Sequence, residues 1–211
     1  SAGAVSLGSG AGVSSSGIVS VRSGRSIGRS GDIVVVAGIS ENSQGGSILL
    51  SGANSVIGTG GSLFLSSGQS EFGKSGNVDI VTGNGGEDAS SGSLFIRTGK
   101  SGSGQSGSIN FESGNSMMSN EGFRISIGHS QEKGGDIQLS AGGSARSTGG
   151  SIILSSGGSE KMASGGVFLS TAMSVQGGRS GKVQISSGTS VQYSSGAISI
   201  QSGETKSGIS G

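Results

Sequence analysis

A chain of 211 residues with 47 glycines, no proline, no cysteine, no tryptophan and 3% aromatic residues lacks the composition of an ordinary globular domain. Its 13 basic and 12 acidic residues are scattered for a formal net charge of +1, which leaves no basic stripe for nucleic acid. Without cysteine there is neither a disulfide framework nor thiolate metal chemistry, and no apolar run approaches the roughly 20 residues of a membrane span.

Glycine and serine enrichment of this kind belongs by default to a flexible linker. Periodicity argues against that default. Residues Ser1 to Gly10 show neither the basic segment nor the apolar core of a leader peptide, and the pattern of the array already begins there. Taking Gly61 of Gly61-Ser62-Leu63-Phe64-Leu65-Ser66-Ser67-Gly68-Gln69-Ser70 as position zero, the same position recurs at Gly3, Gly17, Gly31, Gly46, Gly76, Gly92, Gly107, Glu121, Gly135, Gly150, Gly165, Gly181 and Gly196. The chain is therefore about 14 repeats of about 15 residues.

Within each repeat, position two is apolar without exception, from Val5 and Val19 through Ile33, Leu63 and Phe123 to Ile198. Position four is apolar too, from Leu7 through Leu65 and Phe111 to Ile200, whereas the residue between them varies freely. Alternation of this kind is the signature of an extended segment with one constrained face. Position six is small except at Ile127, position seven is glycine except at Ala53 and Ala172, and position nine is usually serine. The recurring glycine at position seven implies a positive φ or a close backbone approach at a corner, and the serines could bond up a ladder of stacked hydroxyls.

One repeat cannot bury its own apolar pair, so the pattern predicts an all-β fold, a parallel β-solenoid (β-helix) with strands about 4.8 Å apart. Two repeats per coil are preferred over one, because apolar segment then faces apolar segment and the variable turns fall at the edges. The whole of 1–211 reads as a single uncapped solenoid, an excerpt of a longer array whose ends invite pairing.

Several stretches imitate chemical motifs. Gly68-Gln69-Ser70-Glu71-Phe72-Gly73-Lys74-Ser75 satisfies the phosphate-loop pattern, but another repeat follows it where a helix is required. Gly102 to Gly107 matches a dinucleotide-binding glycine pattern with the same defect. Gly134-Gly135-Asp136 suggests a calcium β-roll without its recurring second step, His129 stands alone in a turn, and Glu87-Asp88 has no partner carboxylate. Neither catalysis nor a cofactor nor a metal is implied. No Asn-x-Ser/Thr acceptor occurs, although the turn serines are open to O-linked sugars.

Two surfaces are candidates for binding. Apolar residues at position three, Val34, Leu49, Phe64, Phe95, Ile153 and Phe168, form a candidate lateral interface, with β-propensity alone as the competing explanation. Serines at position five, Ser126, Ser140, Ser155, Ser170 and Ser186, form a candidate hydroxyl face. Arg22, Val36, Val81, Arg97, Glu112 and Gln201 interrupt the same row elsewhere.

The stretch Ser180-Gly181-Lys182-Val183-Gln184-Ile185-Ser186-Ser187-Gly188-Thr189-Ser190 carries a repetition that resembles long Gly/Ser-rich repeat proteins predicted from algal and related protist genomes. The resemblance covers the whole chain and implies a secreted or cell-surface structural role. The function expected is that of a structural or adhesive extracellular segment that builds or decorates a fibre, appendage or coat by stacking on itself or on other structural chains. The alternative is an ice- or polysaccharide-binding surface made from the serine face, with glycans as partners.

Overall fold

The computed structural model describes residues 3–206, 208 and 209. Among them there is neither a helix nor a β-strand, which overturns the expected all-β parallel β-solenoid, or β-helix, with two repeats per coil. The physical reason lies in where the backbone groups go. A solenoid sends its amides to a coil a full turn away along the chain. Here the backbone bonds among the described residues are local: Gly46 N to Gly38 O, Gly61 N to Ala53 O, Gly76 N to Gly68 O, Ala89 N to Gly86 O, Gly150 N to Gly142 O and Gly165 N to Gly157 O.

Five of these bonds share one role. Each joins the position-zero amide of a repeat to the position-seven carbonyl of the repeat before, closing the intervening turn. All five fall in repeats of 15 residues; those of 14 or 16 show none among the described residues. Length alone does not decide it, because Gly107 and Gly196, which also follow 15-residue repeats, make no such bond. The same turns explain the glycine at position zero. A Cβ placed there would lie 2.9 to 3.9 Å from the position-six side chain of the preceding repeat, as at Gly17 against Ser9, Gly46 against Ala37 and Gly135 against Ile127.

Close approach therefore pairs glycine at zero with a small residue at six, Ile127 against Gly135 being the exception. Where position six is itself glycine, at Gly52, the backbones come closer still, and a Cβ on Gly61 would stand 2.9 Å from Ala53 N. Position seven behaves otherwise. Gly24, Gly38, Gly68, Gly83 and Gly99 have open space where a Cβ would be, and the positive φ recorded in the chain is that of Gly177, in a turn. Position-seven glycine is thus not a left-handed corner and a Cβ there would be uncrowded, which corrects the expectation and explains why Ala53 and Ala172 are accepted there.

Alternation survives without strands. Apart from Val5 and Phe123, position two is 45 to 59% exposed, whereas the six apolar residues at position three are 76 to 91% exposed. Side chains two apart meet on the outer face: Lys182 Nζ donates to Gln184 Oε1 at 2.6 Å, Gln201 Nε2 to Ser199 Oγ at 2.8 Å, and the Arg97 guanidinium lies 5.8 Å from the Phe95 ring centre. These segments are extended but unpaired.

No apolar side chain among the described residues is buried, and Ala37 alone is half-buried. The accessible surface is 22071 Å² for 20.2 kDa. A compact chain of this mass would expose about 8,800 Å² and an extended one about 29,000 Å². The chain divides into two units, Ser1–Asn110 and Phe111–Gly211, and the boundary falls within the extended segment of one repeat.

Replacing Gly52 by Ala forces its methyl group against the Gly61 carbonyl. The Gly61 amide is then expected to exchange about fivefold faster, the loss of roughly 1 kcal/mol of one hydrogen bond. Gly68→Ala, in open space, is expected to leave the Gly76 amide within about twofold of its original rate. Amide exchange by NMR on both variants checks the pair.

Candidate functional site

The chemically repeated element is the turn, and its organiser is the position-nine hydroxyl. Ser55 Oγ accepts from Gly58 N at 2.9 Å, Ser70 from Gly73 at 2.9 Å, Ser101 from Gly104 at 3.0 Å, Ser159 from Met162 at 3.0 Å and Ser190 from Tyr193 at 3.1 Å. Thr205 does the same for Gly208 at 3.0 Å. Each hydroxyl thus replaces a backbone acceptor within its own turn, the local bonding that favours Ser and Thr in such places. The expected hydroxyl ladder between coils is corrected accordingly.

Repeat length sets how far the hydroxyl reaches. In the 14-residue repeats, Ser26, Ser116 and Ser130 accept from the amide two residues on, those of Gly28, Met118 and Glu132. In 15-residue repeats the partner is three residues on, and Ser144 takes both Arg146 and Ser147. The turn shortens or lengthens around a fixed hydroxyl.

This arrangement consumes the groups that the motif imitations would need. In Gly68 to Ser75, the Gly73 amide is directed to Ser70 Oγ, and the Gly76 amide just beyond is directed to Gly68 O. In Gly102 to Gly107, the Gly104 amide goes to Ser101 Oγ. Neither leads into a helix. Glu87 and Asp88 occupy a turn closed by Ala89 N on Gly86 O, His129 is exposed, and Arg29 meets Asp32 at 3.3 Å as an exposed pair of little energetic weight. Among the described residues no three His, Cys, Asp or Glu side chains gather as a metal site, and no helix is long and apolar enough to cross a membrane.

The candidate interface residues Val34, Leu49, Phe64, Phe95, Ile153 and Phe168 are all exposed on the outer face of their segments. Phe95 is engaged by Arg97, and the Phe168 ring folds over Gly166, where a Cβ would lie 3.0 Å from Cε2. Ser126, Ser140, Ser155, Ser170 and Ser186 are exposed too, on consecutive repeats of the Phe111–Gly211 unit. No hydrogen bond joins any two of these five hydroxyls among the described residues.

One feature was not singled out from the sequence. Phe111, at position four of its repeat, and Phe123, at position two of the next, stack with ring centres 6.0 Å apart and planes inclined by 19°. Together with Glu112, Ser113 and Gly122 they line an open cleft of about 200 Å³. The available signal was Glu121 where other repeats carry glycine, with a phenylalanine at the nearest apolar position on either side.

Comparison with protein-family models, with curated proteins and with solved structures finds no match for this chain.

Ser70→Ala is expected to release the Gly73 amide, with about fivefold faster exchange for roughly 1 kcal/mol of lost bonding. Inorganic phosphate added to the intact chain is expected to move neither the Gly73 nor the Gly76 resonance in an NMR titration. Saturable shifts of both would restore the phosphate-loop interpretation.

Proposed function

We propose that this chain is a structural and adhesive segment, at the cell surface or outside the cell, that acts by associating with copies of itself or with other structural chains and not by catalysis. One observation carries the proposal. Positions two and four are apolar in every repeat, yet none of those side chains is buried within the chain. Apolar surface repeated at this regularity and left open to water is the surface from which interfaces are made.

The geometry favours lateral over point contact. Each extended segment presents its apolar pair on one face, while the opposite face adds Val34, Leu49 and Phe64 in three successive repeats. The turns between them are closed by their own hydroxyls and need no partner. An association of this kind accumulates through many weak, similar contacts, in keeping with the repeat. Glycan or ice binding through Ser126, Ser140, Ser155, Ser170 and Ser186 has less support, because charged or apolar side chains hold the same position in other repeats.

Sedimentation over a range of protein concentrations tests the proposal. Average mass is expected to rise with concentration and to rise further in sodium sulfate, which strengthens apolar burial. Leu63→Ser with Leu65→Ser is expected to weaken association about tenfold, given roughly 1.5–3 kcal/mol for each buried leucine. A single-chain mass at every concentration and salt would overturn it.

A further inference from the structure

We propose that the cleft between Phe111 and Phe123 receives the arginine side chains of the Arg22–Arg29 turn of a second copy of this chain, a contact that rests on the self-association proposed above. The cleft differs from every other repeat junction. It combines two stacked rings, at 6.0 Å and 19°, with the lining residue Glu112 and with Glu121 next to Gly122 in the chain. Among the described residues neither carboxylate has an ion-pair partner.

Aromatic faces carry partial negative charge and attract cations, most favourably when a carboxylate stands beside them. The occupant that fits is an organic cation with a flat, weakly hydrated head, and guanidinium meets both conditions better than ammonium. The chain supplies one stretch suited to that role. Arg22, Arg25 and Arg29 stand within a single repeat, all are exposed, and the one acid nearby, Asp32, engages Arg29 alone. No other repeat of the chain carries three basic residues.

The two partners are different surfaces, one in the Ser1–Asn110 unit and the other in the Phe111–Gly211 unit. Each copy then offers one donor and one acceptor, and a heterologous contact of this type extends as an open series unless its rotation closes a ring. The apolar faces described above would add to the same association, while the arginine contact would set its register and direction.

Two charge-reversed variants of the full chain test the contact by sedimentation. One carries Glu112→Lys and Glu121→Lys and keeps the arginine turn. The other carries Arg22→Glu, Arg25→Glu and Arg29→Glu and keeps the cleft. All five positions are exposed, so neither variant removes a packed side chain. Each alone is expected to associate at least about tenfold more weakly than the unaltered chain, the loss of a charge-assisted cation–π contact. Mixed in equal amounts they are expected to form a complex again, because the intact arginine turn of one meets the intact cleft of the other while the reversed groups, lysine against glutamate, stay opposite in charge. Added sodium chloride should weaken that complex, opposite to the effect of sulfate on apolar association. If both variants associate as the unaltered chain does, or if the mixture forms no complex, the contact is wrong while self-association stands. If the unaltered chain remains a single chain throughout, both proposals fall.

Discussion

One short-range interaction organises this chain: the amide of a position-zero glycine donates to the carbonyl of position seven in the repeat before, as at Gly61 and Ala53. It needs two things at once. The glycine must come close enough that no Cβ could stand freely between it and position six, and the turn must have the length that aims the amide at the carbonyl. The serine at position nine secures the turn from within by occupying an amide that would otherwise need water or a backbone partner. Local closure replaces long-range pairing as the organising bond.

That replacement has a consequence for burial. Closing a turn brings position six against position zero, residues chosen for smallness, so little apolar area is covered when it forms. The larger side chains at positions two and four remain about half exposed or more, and the total surface lies much nearer the extended than the compact limit. Conformational entropy, made heavier by 47 glycines, is not offset by a core inside one chain. The same openness leaves a cleft such as that between Phe111 and Phe123 accessible.

Much of the local structure was legible in the residues and the fold was not. The position-zero glycine, the small position six, the variable turns and the alternation of faces at Leu63, Phe64 and Leu65 all follow from spacing, and the exposures of those residues agree with it. Alternation, however, specifies only which side of an extended segment is apolar. It does not say what the backbone amides bond to, and here they bond within eight residues and not across coils. Two further signals were open to misreading. Position-seven glycine suggested a corner, though a Cβ there would meet open space, and position-nine serine suggested a ladder, though its hydroxyl turns back on its own amides. The Phe111–Phe123 cleft was hidden because each phenylalanine satisfied the apolar rule of its own repeat; only the substitution of Glu121 for glycine marked the place.

The most direct test of this account is the amide exchange profile of the whole chain, resolved residue by residue by NMR at a concentration where it does not associate. Protection is expected at the turn-closing amides of Gly46, Gly61, Gly76, Gly150 and Gly165 and at the amides that serve position-nine hydroxyls. Positions one to five of every repeat should exchange freely. Continuous protection along those positions, repeat after repeat, would reveal backbone pairing across distant segments and would contradict the local-closure account.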